Sequence, residues 1–376
     1  MNKIIKLGAV LSLAAALAAC SSTQNGDPAN NGNNTNKHGE LTVVKGSKPK
    51  PNQDVVVQRI HRFEGASMEK WMSDDQVQLM YTKIVKKATA TEEAKYEYTT
   101  MKIDLSNNEL KSAAEPVKKI ETVEKEQPSP DGKYVFIQQW KDKYTARNFI
   151  KEVITGKTTE ITGSNYLESG GWLDNTTYIL AAGSMNGLGD IRQIKVDGTM
   201  TLLKLDDPDL GEQPFTNFGT GQGHIYYTDS NQTLKQFVPG DPKPTVLVKH
   251  VMTFQLSPDG KHLAVEVQKE AGKAGSELRI FDSNGSAEGL SIAKGDLIPY
   301  IAWSPDSMKL AAALYTENQS GMNGVYIFDS ATGKVSPIGP SYFPEYPLSW
   351  NPSGTRLGVT VSGKDGIAVT HIIDFK

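Results

Sequence analysis

The sequence predicts an all-β fold assembled from one repeated sheet module, and three observations support this prediction. Ser, Pro, Asp and Gly recur together between short alternating apolar segments from Trp71 onwards. The 376 residues include 34 Gly and 19 Pro, which mark turns. Beyond the first twenty residues no long apolar segment has helical periodicity.

Composition excludes several classes of protein. The chain is 38% hydrophobic, which is enough to bury a core. Its formal net charge of -3 argues against a nucleic-acid binder held by a basic surface. A single cysteine excludes an internal disulfide framework and a thiolate zinc cluster.

The N-terminus has the pattern of an export signal. Lys3 and Lys6 precede an apolar stretch that ends at Ala19 and is too short for a membrane span of about 20 residues. The end of this stretch and the next residue, Leu17-Ala18-Ala19-Cys20, resemble the lipobox of bacterial lipoproteins. The resemblance implies that residues 1–19 are a signal peptide and that Cys20 carries lipid. The alternative is an uncleaved anchor with an incidental cysteine.

Residues 20–53 are expected to be a disordered tether. Ser21 to Gly39 contains six Asn and no aromatic residue, so this segment has little apolar surface to bury. The folded part is then residues 54–376. Together with the lipobox, this organisation predicts an extracytoplasmic protein anchored by lipid to a bacterial membrane.

The repeat itself is a strand, a tight turn and a second strand. Four copies are plain, two are weaker and one is degenerate: Pro128–Gly132, Leu256–Lys261, Trp303–Asp306 and Trp350–Gly354, then Trp71–Asp75 and Trp172–Asn175, and finally Gly221–Gly223. Successive turns lie 43 to 56 residues apart, and one interval of 85 residues spans two repeats. This period is typical of a β-propeller, with one four-stranded blade per repeat.

Seven blades are the preferred count, and six are the alternative. The last repeat has only three strands, whereas Val55–His61 stands unpaired before the first repeat. Pairing this segment with the last blade would close the ring and remove two open edges. A second set of turns, such as Asp197-Gly198 and Asp329–Gly333, is expected to join the outer strands of each blade. Residues 109–127 are expected to form an irregular loop.

The repeats resemble those of the TolB-like, WD40-like (PD40) propeller superfamily. The shared features are an aromatic or small residue, then Ser-Pro-Asp-Gly-Lys, then an alternating apolar strand, as in Ser257–Lys261. The resemblance covers residues 54–376 and implies the propeller fold.

The recurring motifs favour structure over catalysis. Pro presets φ, Asp bonds its own backbone and Gly tolerates positive φ, so Ser-Pro-Asp-Gly encodes a turn. Trp71, Trp172, Trp303 and Trp350 share one phase and are expected to pack between blades, with an aromatic cage as the alternative. No Gly-x-Ser-x-Gly elbow and no paired histidine spacing occurs, so neither a serine hydrolase nor a zinc site is expected.

One acidic run offers oxygen ligands of the kind that Ca²⁺ prefers. Its carboxylates are Asp206, Asp207, Asp209 and Glu212. They lack the EF-hand spacing, and a solvated loop is the preferred interpretation. No other cofactor is expected.

The connections between blades lie opposite the Ser-Pro-Asp-Gly turns and are the expected binding face. The candidate binding residues are aromatic side chains in the loops of this face: Trp140, Tyr144, Tyr166, Tyr315, Tyr342, Phe343 and Tyr346. The sequence therefore predicts a monomeric, non-enzymatic binding or scaffold module for a protein, peptide or envelope component. The alternative is a metal-assisted propeller hydrolase of the lactonase or phosphoesterase type.

Overall fold

The structure is a computed structural model that describes most of the chain from residue 55 onwards. The described residues are 55–106, 115–116, 124–141, 145–161, 169–182, 190–203, 205–210, 217–268, 275–284, 289–317, 321–338, 343–363 and 366–376. All of them belong to a unit that runs from Pro49 to Lys376. The expected signal peptide, Cys20 and the tether at residues 20–53 lie outside the described residues.

Within these ranges the chain forms seven four-stranded antiparallel sheets, the blades of a propeller. The first strand of the described chain, β1 (Val57–Glu64), belongs to the last blade. Blade 1 comprises β2 (Ala66–Trp71), β3 (Gln76–Lys86), β4 (Lys95–Asp104) and β5 (Glu115–Pro116). Blade 2 comprises β6 (Glu124–Pro128), β7 (Tyr134–Trp140), β8 (Ala146–Glu152) and β9 (Thr158–Ile161). Blade 3 comprises β10 (Ser169–Trp172), β11 (Thr177–Ala182), β12 (Asp190–Lys195) and β13 (Met200–Leu203).

Blades 4 to 6 repeat the same arrangement, and blade 7 borrows β1. Blade 4 comprises β14 (Phe218–Gly221), β15 (His224–Thr228), β16 (Leu234–Phe237) and β17 (Thr245–Val248), and blade 5 comprises β18 (Val251–Leu256), β19 (His262–Gln268), β20 (Ser276–Asp282) and β21 (Leu290–Gly295). Blade 6 comprises β22 (Leu297–Trp303), β23 (Lys309–Tyr315), β24 (Gly324–Asp329) and β25 (Val335–Pro337). Blade 7 comprises β26 (Ser349–Trp350), β27 (Arg356–Ser362) and β28 (Ala368–Phe375) together with β1. A short 3-10 helix, Pro208–Leu210, lies between blades 3 and 4.

The N-terminal strand closes the ring, as the sequence predicts. β1 pairs with β28 from Val57 opposite Phe375 to Glu64 opposite Val369, and the strand order of this sheet is β1-β28-β27-β26. β1 is therefore the outer strand of blade 7. The prediction of seven blades closed by an N-terminal strand is confirmed.

Strand burial follows position in the blade. The second strands are buried on both faces because each blade packs against two neighbours, as in β23, where Ala311, Ala312 and Ala313 are at most 4% exposed. Small side chains there allow adjacent sheets to approach closely. The outer strands β13 and β17 contain no buried residue.

The Ser-Pro-Asp-Gly segments are turns between the first and second strands. In blade 5 the Ser257 hydroxyl donates to Oδ1 of Asp259 at 2.7 Å and accepts the His262 N–H at 2.9 Å. Gly260, with φ of +72°, occupies the left-handed region that favours glycine. The same hydroxyl bonds recur in blades 2 and 6. The motif is structural, as expected.

The four repeat tryptophans join blades 1, 3, 6 and 7 to the blade that precedes each of them in the ring. Each indole N–H donates to a main-chain carbonyl in or beside the inner strand of the neighbouring blade: Trp71 to Ser349, Trp172 to Gln127, Trp303 to Gln255 and Trp350 to Ala302, at 2.8 to 3.2 Å. In blade 4 the Thr220 hydroxyl takes this place and donates to the Trp172 carbonyl. The prediction that these tryptophans pack between blades is confirmed.

The topology defines two ends of the propeller. The turn end carries the Ser-Pro-Asp-Gly turns and the turns that join third and fourth strands, as the Ser283 N–H to Lys261 carbonyl bond shows. The loop end carries the other connections, as the Gln268 N–H to His250 carbonyl bond shows. Val56 accepts a hydrogen bond from the Lys376 N–H, next to the bond between Phe375 and Thr355, so β1 begins at the turn end.

One sequence-based expectation is wrong. Residues 109–127 were expected to be an irregular loop, but Glu124–Pro128 is the inner strand of blade 2. The sequence of this strand, Glu-Lys-Glu-Gln-Pro, lacks the alternation of apolar and polar residues by which strands are recognised. Lys125 lies partly buried there, and this burial lowers the pKa of its ammonium.

Candidate functional site

The acidic run between blades 3 and 4 surrounds a buried lysine. The Lys235 ammonium lies 2.8 Å from Oδ1 of Asp207, 2.8 Å from Oδ2 of Asp209 and 2.9 Å from Oδ2 of Asp229. The Lys235, Asp207 and Asp229 side chains are at most 4% exposed, whereas Asp209 is 52% exposed. The Tyr227 hydroxyl donates to Asp207 at 2.7 Å.

The electrostatics of this cluster stabilise its charged form. Burial alone would raise the pKa of Asp207, but hydrogen bonds from Lys235 and Tyr227 outweigh it and hold the pKa below its usual value. Burial also disfavours the Lys235 ammonium, yet the surrounding carboxylates raise its pKa above the usual value. The cluster therefore joins the connecting segment to blade 4 by charge.

This geometry bears on the calcium expectation. The Lys235 ammonium occupies the space between the Asp207 and Asp209 carboxylates, which is where these two residues would hold a cation. Of the other two carboxylate residues of the run, Asp206 is exposed and Glu212 lies outside the described residues. Across the described part of the chain, no three His, Cys, Asp or Glu side chains are arranged to hold a metal ion.

A cavity of 720 Å³ lies along the central channel. The inner strands and adjoining turns of blades 2 to 5 form its wall, including Gln127, Trp172, Thr220, Gln222 and Gln255.

The polar groups of this wall hold the blades together. The Gln255 side-chain oxygen accepts a hydrogen bond from the main-chain N–H of Trp303 at 3.0 Å, and the Gln222 side-chain amide donates to the Asp259 carbonyl at 2.9 Å. The Gln127 and Thr220 bonds to Trp172 described above belong to the same set. The channel wall is thus built from blade-to-blade contacts, and the better candidate for recognition lies elsewhere.

An exposed apolar surface, here called the aromatic patch, lies at the loop end of blades 6 and 7. It comprises Leu297, Tyr315 and Phe343, which are 46%, 40% and 40% exposed. Leu297 and Tyr315 are opposite each other across β22 and β23, so their side chains share a face. The Tyr315 and Phe343 rings meet edge to face with centroids 5.7 Å apart. Two sequence-predicted binding residues therefore lie in contact.

The segment that carries Phe343 is held to both blades. Pro344 bridges to Val361 and the Glu345 N–H donates to the Thr360 carbonyl at 3.0 Å, which continues the line of the inner strand β26. The Tyr300 hydroxyl of blade 6 donates to the Glu345 carbonyl at 2.9 Å. The patch therefore lies on a fixed backbone beside the channel, where a rigid apolar surface costs little entropy on binding.

The other predicted binding residues are distributed differently. Tyr346 is 43% exposed and follows on the same segment as Phe343. Trp140 ends β7 in blade 2, in a different part of the ring. Tyr144, Tyr166 and Tyr342 lie outside the described residues. Sequence reasoning missed Leu297, whose only signal is a leucine directly after the Gly-Asp connection between blades 5 and 6.

Among the described residues no helix is long and apolar enough to cross a bilayer. No protein-family model matches the sequence. No curated protein matches it either.

Solved structures match the fold. An oligogalacturonate lyase in complex with manganese is 9% identical, with a TM-score of 0.51 over 84% of this chain and 98% of the lyase. The propeller domain of the trilobed protease from Pyrococcus furiosus is 14% identical, with a TM-score of 0.49 over 83% and 96% of the two chains. TolB from Acinetobacter baumannii is 17% identical, with a TM-score of 0.36 over 80% and 64%.

At these identities the similarity concerns architecture and carries no activity across. The sheet order, the closing strand and the lyase match agree with one another. The chain is a seven-bladed β-propeller.

Proposed function

We propose that the protein is an extracytoplasmic lipoprotein, anchored through Cys20, whose propeller binds a protein or peptide of the cell envelope and catalyses no reaction. The binding surface is the aromatic patch at the loop end. The observation that carries this proposal is the edge-to-face contact of Tyr315 and Phe343, both 40% exposed. Exposed aromatic clusters on a rigid backbone are typical of recognition surfaces.

The position of β1 supports the same arrangement. The described chain begins at the turn end, where Val56 meets Lys376. A tether that precedes Val56 would join the propeller at the end opposite the aromatic patch.

The anchor is tested by metabolic labelling with a radioactive fatty acid. The full chain should incorporate label and sediment with membranes, whereas Cys20→Ser should do neither. Incorporation of label by Cys20→Ser would contradict lipid attachment at this cysteine.

The binding surface is tested by crosslinking and pulldown from membranes with the full lipidated chain. Tyr315→Ala with Phe343→Ala should lose the enriched partner. The matched control is Tyr96→Ala with Tyr98→Ala, a second exposed aromatic pair with centroids 6.3 Å apart on β4. This control should retain the partner. Equal enrichment by both double variants would contradict the proposed surface.

A further inference from the structure

The described residues next to the aromatic patch along the chain carry only negative charge. Residues 295–297, 315–317, 321–323 and 343–346 contain Asp296, Glu317 and Glu345 but no Lys, Arg or His. All three carboxylate residues are exposed. Within the described part of the chain, no ion pair involves any of them.

Hydrogen bonds to the backbone hold the three residues that bear these carboxylates beside the patch. The Asp296 N–H donates to the Tyr315 carbonyl at 2.8 Å, and the Asp296 carboxylate accepts the Glu317 N–H at 2.8 Å. Asp296 directly precedes Leu297. Glu345 follows Phe343 by two residues on the segment fixed by Tyr300. The Asp296 carboxylate and the backbones of Glu317 and Glu345 are therefore positioned by the same elements as the rings.

This combination selects one kind of ligand. Aromatic faces attract cations, and a carboxylate margin favours the same charge while it repels anions. Leu297 and the two rings also present apolar surface, which favours a ligand with an apolar group beside its cation. Anionic glycans and acidic peptides would be repelled by three carboxylates.

We infer that the aromatic patch binds a positively charged peptide segment of a partner protein, in which Lys or Arg stands beside an apolar side chain. The inference rests on the proposed binding function and names the chemistry of its partner. The cation lies against the Tyr315 and Phe343 rings within the carboxylate margin, and the apolar side chain contacts Leu297.

The test uses two labelled synthetic peptides of equal length, one alternating lysine with leucine and the other glutamate with leucine. Fluorescence anisotropy measures their binding to the full chain in detergent. The lysine peptide should bind, and the glutamate peptide should bind at least about tenfold more weakly. Added salt should weaken the lysine peptide because exposed charges are screened.

Variants locate the site. Phe343→Ala should weaken the lysine peptide by about fivefold to tenfold through loss of the ring. Glu317→Gln with Glu345→Gln should weaken it by several fold at low salt, and this difference should disappear at high salt. The control is Asp241→Asn, an exposed carboxylate at the turn end, which should change nothing.

Two results would overturn the inference. An equal loss in Asp241→Asn and in the glutamate pair would show that the overall negative charge attracts the peptide. Binding of neither peptide, while the membrane pulldown still depends on Tyr315 and Phe343, would reject a cationic occupant and leave the binding function standing. Failure of both experiments would reject the two proposals together.

Discussion

At the scale of single residues, the buried Lys235 cluster stands out because sequence reasoning interpreted its carboxylates differently. The sequence favoured a solvated loop for Asp207 and Asp209, with a calcium site as the alternative, and no local signal revealed that a lysine in β16 would reach them. Lys235 is 26 and 28 residues away along the chain. Only the packing of blade 4 brings an ammonium among these oxygens.

Replacement of this lysine should be costly. Lys235→Met would leave Asp207 and Asp229 buried without a positive partner, and the free energy of unfolding at neutral pH should fall by about 3 to 5 kcal/mol. Urea denaturation measures the change. Lys133→Ala removes an ion pair whose lysine is 66% exposed and should cost below about 1 kcal/mol. A comparable loss in both variants would contradict the account.

The difference between wild type and Lys235→Met should also depend on pH. The pKa of Asp207 is lowered by folding, so its contribution is present above its ordinary value of 3.8 and lost as pH falls through the lower folded value. The pKa of Lys235 is raised, so its contribution is full below 10.5 and lost as pH rises through the higher folded value. The stability difference should therefore be largest between these limits and shrink outside them. A difference that is equally large in strong acid would be inconsistent with this charge network.

At the scale of elements, the inner strands are joined by the repeat tryptophans. The sequence predicted their position because all four occupy the same position in the repeat, and equivalent positions of a repeat occupy equivalent places in the blades. It did not predict that each indole donates to the preceding blade, since the acceptors are main-chain carbonyls with no sequence signature. The strand at Glu124–Pro128 was missed for a related reason, because its charged side chains conceal the period of a strand.

Loss of one indole N–H should weaken the contact between two blades. Trp350→Phe would leave the Ala302 carbonyl, now bonded at 2.9 Å, without this donor and would remove buried volume. We expect a loss of about 1 to 3 kcal/mol in the free energy of unfolding, measured by urea denaturation. Trp140→Phe is the matched control at the loop end of β7 and should cost less than about 1 kcal/mol. If the two substitutions cost the same, the indole bond does not join the blades.

At the scale of the whole molecule, ring closure depends on polar contacts between the chain ends and blade 1. Arg356 donates through Nε to Oδ1 of Asp374 at 2.9 Å and through Nη1 to Oδ1 of Asp75 at 2.6 Å. Nε2 of His61 in β1 lies 3.1 Å from the other oxygen of Asp374. One guanidinium thus joins β28 to blade 1, and the same carboxylate contacts β1.

Arg356→Ala should therefore destabilise the closed ring. The substitution removes these two hydrogen bonds and a third, from Nη1 to the Asp74 carbonyl, at a side chain that is 17% exposed. It should lower the free energy of unfolding by about 2 to 3 kcal/mol. Arg147→Ala is the control, because its pair with Glu160 lies within blade 2 at an arginine that is 50% exposed. Chemical denaturation should show a clearly smaller effect there, and similar effects would argue against a role in closure.

The architecture was predictable at this scale because the repeat period, the missing fourth strand and the orphan N-terminal strand all constrain the same ring. The binding surface was predictable only in part. Tyr315 and Phe343 were separate candidates in two loops, and their contact depends on how blades 6 and 7 pack. Leu297 was not a candidate at all, since an isolated leucine between two blades has no distinguishing pattern.

The most direct test of the account replaces single residues of the full lipidated chain with a photo-crosslinking amino acid. Phe343 at the loop end and Met308 at the turn end are 40% and 44% exposed, so the two probes are matched in accessibility. On intact membranes, position 343 should give a discrete crosslinked product and position 308 should give none. Crosslinks from position 308 alone, or equal products from both positions, would contradict a partner bound at the aromatic patch.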